Sequence, residues 1–197
     1  MKKISMLLLI FLLIFSGCTP KEKSPIEIAL STAENQTEQE GLADFVNSIS
    51  QLLNKPLEYD TSGCKFETGE DGEKYYSKEM TLFSRNYTVS FCLDGSPDNI
   101  LEGIFTRCKD GPAITSCTEL FLTLNKSFEL NSIYYSRAKG QTGESVYKFD
   151  TGLGDSILNP IFNDFRTGKI YSLHLDYRTF FLIVKNDGEH TDFFISI

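Results

Sequence analysis

Four segments of this chain alternate apolar with polar residues, and this period of two constrains the fold more than any other feature. The alternating segments run from Tyr87 to Leu93, Leu120 to Leu124, Tyr171 to Tyr177 and Phe193 to Ile197. Turn-forming residues separate them, and the intervals between turns are too short for repeated strand–helix–strand crossovers. Strands of this kind predict a largely antiparallel sheet with one face in the core.

One segment near the N-terminus has the helical period instead. Its apolar residues recur at spacings of three and four, and they are Leu42, Phe45, Val46, Ile49, Leu52 and Leu53. Thr37 and Glu40 have the spacing of a capping box, and Pro56 predicts the end of the helix. We therefore predict an α+β fold, in which one N-terminal amphipathic helix packs on an antiparallel sheet of about eight to ten strands. The segment from Thr151 to Pro160 is predicted to be a surface loop.

Adjacent aromatic residues occur at four places in the predicted strands. They are Tyr75-Tyr76, Tyr134-Tyr135, Phe180-Phe181 and Phe193-Phe194. Because neighbouring side chains of a strand point to opposite faces, each pair places one ring on each face of the sheet. One face is expected to be core. If the second face is also covered, its rings can line a groove for an apolar ligand, as in half-barrels that carry acyl chains.

The N-terminus has the parts of an export signal. Lys2 and Lys3 precede an apolar run from Ile4 to Phe15, whose helix would be roughly 18 Å long and too short for a hydrocarbon core of about 30 Å. The following stretch, Phe15-Ser16-Gly17-Cys18, resembles the lipobox of bacterial lipoproteins. That resemblance implies cleavage before Cys18 and attachment of diacylglycerol and a further acyl group such as palmitate to it.

The same resemblance predicts where the protein resides and how the chain is divided. Thr19, in place of Asp, favours the outer membrane, on its periplasmic or surface face. Residues 1–17 are the predicted signal peptide, residues 18–40 a lipidated tether, and residues 41–197 a single globular domain. The tether is rich in Pro and charged residues, although the apolar segment from Ile26 to Ala33 can pack as a short strand or helical turn.

The formal net charge of −8 excludes a nucleic-acid binder that works through a basic surface. It also argues against electrostatic docking to anionic lipid. The predicted contact with the membrane is therefore the lipid on Cys18, and the predicted further partner is a protein of the cell envelope.

Four cysteines remain when Cys18 is assigned to the lipid. Cys64, Cys92, Cys108 and Cys117 are an even number in a chain predicted to enter an oxidising compartment, so two disulfides are expected. Of the three possible pairings we favour Cys108–Cys117 with Cys64–Cys92. None of the four lies in a C-x-x-C pair and the two histidines are distant in sequence, so we predict no metal site and no cofactor.

Two groups of residues have the composition of a hydrolase site. Gly154-Asp155-Ser156-Ile157 and Asp187-Gly188-Glu189-His190 resemble the nucleophile and Asp-x-x-His blocks of GDSL hydrolases, but too little chain separates Ser156 from His190 for that scaffold. Ser172, His174 and Asp176 lie two apart on one predicted strand, where neighbours on a face are nearly 7 Å apart and beyond hydrogen-bond reach. We predict no catalytic residue.

These features together predict a lipid-anchored, non-catalytic protein-interaction module of the assembly-factor, inhibitor or immunity type. The alternative is a carrier that binds an apolar ligand or lipid in a half-barrel cavity, and a GDSL-like hydrolase is a distant third. A closed, packed sheet favours the first function, and an apolar cavity of several hundred Å³ favours the second.

Overall fold

The computed structural model describes residues 22–69, 72–110, 121, 124, 127–139, 142–147, 155–186 and 191–197. Within these ranges the chain has three helices longer than one turn, which are α1 (Pro25–Glu34), α2 (Glu38–Ser50) and α3 (Asp155–Arg166). A 3-10 turn, Thr61–Gly63, precedes the first strand.

Nine described strands form one sheet in the order β1-β2-β3-β4-β9-β8-β7-β5-β6, and each neighbouring pair is antiparallel. The α+β class and the antiparallel sheet are therefore confirmed. The strands are β1 (Lys65–Thr68), β2 (Lys74–Leu82), β3 (Arg85–Leu93), β4 (Leu101–Cys108), β5 (Leu130–Ser136), β6 (Glu144–Tyr147), β7 (Ser172–Tyr177), β8 (Phe180–Asn186) and β9 (Thr191–Ser196).

The helices cover one face of the sheet, which we call the helix face. In β3 the alternate residues Tyr87, Val89 and Phe91 are buried on it, as the alternation predicts. The ring of Phe45 in α2 packs edge-on against Phe193 of β9, with centroids 6.3 Å apart. Buried residues of α1, α2 and α3 belong to the same apolar cluster as those of the strands, so one core holds the domain together.

The helical period around Leu42 corresponds to α2, but the prediction of a single helix is wrong. The Glu40 carboxylate accepts hydrogen bonds from the backbone N–H of Thr37 at 3.3 Å and from its hydroxyl at 2.8 Å, which fixes the start of α2. The preceding helix α1 lies inside the predicted tether and buries Ile26 and Leu30. The tether boundary at residue 40 is therefore corrected, because the packed domain already includes α1.

Two further segments differ from their predicted structure. Residues 155–160 of the predicted loop lie in α3, where Leu158, Ile161 and Phe165 are buried at helical spacings. Phe121 and Leu124, in a segment predicted as a strand, are helical and buried. In both segments the spacing of three or four brings the apolar side chains to one side of a helix, which outweighs the local signal of alternation or of glycine.

Candidate binding groove

The face of the sheet opposite the helices, which we call the open face, carries a continuous line of apolar and aromatic side chains. Register places one residue from each of five neighbouring strands in this line, which we call the apolar row: Phe105, Phe194, Ile183, His174 and Tyr134. Four strand spacings separate its ends, so the row is about 19 Å long. Among the described helices none packs against it.

A groove of about 310 Å³ lies at one end of the apolar row and opens to solvent. Phe105, Phe194 and Ile183 form its apolar lining, together with Tyr75 and Cys92 from the neighbouring strands. This volume is at the lower end of the range for small-molecule sites, about 300–1,000 Å³. The groove can therefore hold a narrow ligand that lies across the strands.

Gly103 in β4 leaves room for the ring of Phe194, which lines the groove. A Cβ atom at this position would lie 2.7 Å from Cε2 of Phe194 and 2.8 Å from the carbonyl oxygen of Ile195. These distances are too short for a real side chain, so the ring of Phe194 lies over β4 in space that only glycine leaves free.

Charged residues border the apolar row on the same face of the sheet, two residues away along each of three strands. Arg107, Asp192 and Lys185 follow in register on β4, β9 and β8, and we call them the charged row. Nε and Nη2 of Arg107 donate to the two carboxylate oxygens of Asp192 at 2.9 and 2.7 Å. The Arg107 guanidinium also lies 5.7 Å from the centroid of the Phe105 ring.

Lys185 is exposed and has no ion-pair partner among the described residues. The charge of Lys185 also affects His174 in the apolar row. The pKa of His174 is lowered chiefly by burial and then by the positive charge of Lys185. The His174 ring is packed edge-on against Tyr134, with centroids 5.2 Å apart. This imidazole is therefore held in its neutral form more strongly than a free histidine.

Cys92 is the predicted site residue that the structure places in the groove. Its side chain is buried, and burial with the nearby charge of Glu73 raises the pKa of the thiol to about 12. A thiol with this pKa is protonated at neutral pH and is a poor nucleophile. Cys92 therefore contributes apolar surface to the groove.

The predicted Cys64–Cys92 disulfide is not formed, and the register explains why it is wrong. Both thiols are free, and β2 lies between β1, which follows Cys64, and β3, which contains Cys92. Two strand spacings are about 10 Å, whereas the Cα atoms of a disulfide are no more than about 7 Å apart. Bridging them would require movement of the backbone.

The other predicted cysteine sites are only partly described. Cys108 is fully buried at the end of β4, and Nη1 of Arg85 lies 4.0 Å from its sulfur. Cys117 and Cys18 lie outside the described residues, so the Cys108–Cys117 disulfide and the lipidation site stay predictions.

The predicted polar groups do not form a described catalytic arrangement. Ser156 is exposed in the first turn of α3, and His190 lies outside the described residues. Ser172, His174 and Asp176 share the open face of β7 as predicted. Asp176 accepts a hydrogen bond from the hydroxyl of Ser132 on β5 at 3.3 Å, which ties it to the neighbouring strand.

Two features are absent from the described residues. No group of three or more His, Cys, Asp or Glu side chains is arranged to hold a metal ion. In the same part of the chain, no helix has the length and apolar character needed to cross a bilayer.

Several residues of the groove were not singled out by sequence reasoning. The aromatic pairs correctly indicated that one ring of each pair lies on the open face: Phe180 is 1% exposed and Phe181 44%, while Tyr135 is 8% exposed and Tyr134 36%. No such signal pointed to Gly103 or Lys185. Their positions depend on the register of β4 with β9 and of β9 with β8.

Comparison with known proteins gives no relative from which a function can be taken. The chain matches no protein-family model, no curated protein and no solved structure.

Proposed function

We propose that this protein is a lipid-anchored binding protein that takes an apolar ligand in the groove of the open face and acts without catalysis. The observation that carries the proposal is the groove itself, in which half-buried Phe105, Phe194 and Ile183 lie on the face of the sheet opposite the helices and the main core. An apolar cavity of a few hundred Å³ is what distinguishes a carrier from a closed interaction module.

The chemistry of the groove supports binding over catalysis. Its thiol, Cys92, is protonated at neutral pH, and aromatic or aliphatic residues make up half of its other lining residues. The other half are polar or charged: Glu67, Ser77, Ser90, Lys185 and Asp192. Each methylene group that an acyl chain buries contributes about 0.8 kcal/mol, so a chain that lies on these rings gains affinity from contact area alone.

A short link to a bilayer would suit such a function. Residues 19–24 separate Cys18 from α1 and can span at most about 20 Å. Lipidation at Cys18 would therefore keep the domain next to the membrane of the cell envelope, where single acyl chains are available. We propose the outer membrane as the location, because Thr19, and not Asp, follows Cys18.

The proposal is tested with a neutral apolar fluorophore, N-phenyl-1-naphthylamine, titrated into the full mature protein. Saturable fluorescence enhancement is expected, and Ile183→Asp should weaken it at least tenfold. The reason is that the change removes an apolar contact of about 1.5–3 kcal/mol and puts a charge in the groove.

Ile28→Asp is the matched control, because Ile28 is 52% exposed on α1 and outside the groove. It should leave the fluorophore affinity unchanged. Absence of saturable binding, or equal loss in both variants, would contradict the proposal.

A second candidate function is recognition of an envelope protein, and the exposure of Phe181 and Tyr134 favours it. These rings lie on the open face but do not line the groove. A photo-crosslinking residue at position 181 should then capture one defined protein in cells, whereas the same residue at position 28 should capture none. Capture at neither position would leave the groove ligand as the function.

A further inference from the structure

We infer that the groove binds a single-chain amphiphile with an anionic headgroup, such as a free fatty acid, with its head on Lys185 and its chain on the apolar row. This inference rests on the proposed function, and it names the class of ligand. Three observations carry it: the position of the charged row, the balance of charges around the groove, and the size of the groove.

The charged row lies along one side of the apolar row for three consecutive strands. On β8, Lys185 is two residues from Ile183 on the same face, which is a separation of about 7 Å. On β9 and β4, Asp192 and Arg107 have the same relation to Phe194 and Phe105. A ligand whose chain lies on Ile183, Phe194 and Phe105 can therefore place its head on the charged row.

The balance of charges favours an anionic head. The two acidic residues that line the groove have described cationic partners: Asp192 pairs with Arg107, and Glu67 pairs with Lys65. A further carboxylate, that of Glu73, lies near Cys92 and accepts a hydrogen bond from the hydroxyl of Tyr75. Two strands from Arg107 in the same register, Glu79 on β2 pairs with Lys109 at 2.7 Å. Lys185 is the cation of the charged row without a described partner, so Arg107, Asp192 and Lys185 together carry a charge of +1 (two cations and one carboxylate), on a chain with a net charge of −8.

The dimensions favour one chain over two. The groove has a volume of about 310 Å³, at the lower end of the range for small-molecule sites. The apolar row is about 19 Å long. An acyl chain spans one leaflet of a bilayer's hydrocarbon core, about 15 Å. Lys185 lies beside Ile183, in the middle of the row, and from there the groove crosses β9, β4 and β3 to Tyr75 on β2. These four strand spacings, about 19 Å, accommodate one such chain.

The test compares laurate with dodecan-1-ol, which have the same chain length and differ in the charge of the head. Each is titrated against the bound neutral fluorophore, and the ratio of the two dissociation constants is measured in the wild type and in variants. Lys185→Gln should weaken laurate about tenfold and leave dodecan-1-ol unchanged, because only the carboxylate forms a charge-assisted hydrogen bond with the ammonium group.

Two variants control for the general effect of charge and for loss of folding. Lys78→Gln removes an exposed lysine on the helix side of β2 and should leave the ratio unchanged. Lys185→Arg keeps the charge and should retain most of the preference for laurate. A loss of fluorophore binding in Lys185→Gln would identify a folding defect. In that case the laurate preference of Lys185→Arg and the pKa of His174 in the wild-type protein decide the inference.

The pKa of His174 in the wild-type protein is the second readout, measured by NMR with His190→Gln to assign the signals. Bound laurate should offset the charge of Lys185 and give His174 a higher pKa than bound dodecan-1-ol does. Equal pKa values with the two ligands would overturn the inference.

The outcomes separate the two proposals. If laurate and dodecan-1-ol both displace the fluorophore, and neither the Lys185→Gln ratio nor the His174 pKa changes, the anionic-head inference is wrong and the apolar binding function stands. If wild-type protein binds neither the fluorophore nor either ligand, both proposals are wrong.

Discussion

Replacement of Gly103 with alanine should destabilise the domain, because it adds a methyl group where the ring of Phe194 lies over β4. The new Cβ atom would be 2.7 Å from Cε2 of Phe194, and it would be 2.8 Å from a backbone carbonyl oxygen that cannot move independently. Both distances are well inside van der Waals contact. The side chain or the strand must therefore shift.

The expected magnitude is the difference between two opposing effects. Overpacking costs about 1–3 kcal/mol. Alanine has less conformational entropy than glycine in the unfolded chain, and this difference stabilises the folded state by about 0.4–1 kcal/mol. The free energy of unfolding should thus fall by about 1.3 kcal/mol, which corresponds to roughly 3–5 °C in Tm for a chain of this size.

Urea denaturation followed by circular dichroism measures this change in the wild type and in a Phe194→Ala background. Removing the ring should relieve the clash with it and leave only the carbonyl contact. The two substitutions should therefore show a coupling energy of about 1 kcal/mol.

Gly63→Ala is the control, because nothing lies within 4 Å of its added Cβ. Its effect should stay within about 0.5 kcal/mol. A neutral Gly103→Ala substitution, or one whose cost is the same in both backgrounds, would refute the placement of the Phe194 ring.

Three further predictions concern chemistry away from this contact. Alkylation at pH 8 should label Cys64, which is partly exposed, and leave Cys92 unlabelled until urea unfolds the protein. The reason is that burial raises the pKa of the Cys92 thiol to about 12. Fast labelling of both cysteines would contradict this prediction. Cys18→Ser should abolish labelling by radioactive palmitate and leave an uncleaved precursor, and normal labelling would refute the lipobox assignment. Burial raises the pKa of Glu38, so the folded state binds this proton more tightly than the unfolded state and ionisation costs stability as the pH rises above 4.5. Glu38→Gln should therefore become more stable relative to the wild type between pH 4.5 and 7, as measured by urea denaturation, and a constant difference would contradict the assignment.

The elements that sequence could predict are those whose pattern is strictly local. Alternation in β3 and the helical period of α2 identify which side chains are buried, because burial on one face is a property of the segment itself. Helix α3 was missed, although Leu158, Ile161 and Phe165 have helical spacing. Pro160 lies inside that helix, although a proline predicts a helix end because it lacks the N–H group that a helix interior uses.

The groove could not be predicted because its residues come together only through register. Phe105 and Phe194 are far apart in sequence, and they become neighbours because β9 inserts between β4 and β8. Alternation assigns each residue to a face and gives no information about the residue on the next strand. The position of Lys185 beside the apolar row has the same origin, so the class of ligand depends on topology.

Alanine substitutions at the adjacent residues Phe193 and Phe194 should have different effects on stability and on ligand binding. Phe193 is 2% exposed and packs against Phe45 and Tyr87, so Phe193→Ala should lower the free energy of unfolding by about 3–5 kcal/mol. Phe194 is half-buried on the open face, so Phe194→Ala should cost only about 1.5 kcal/mol and yet weaken fluorophore binding at least tenfold. Both quantities are measured on the same two variants, by urea denaturation and by fluorescence titration under conditions where each variant is folded. Equal loss of binding in folded Phe193→Ala protein would show that the groove depends on the core as a whole, and the assignment of the two rings to opposite faces would then have no functional meaning.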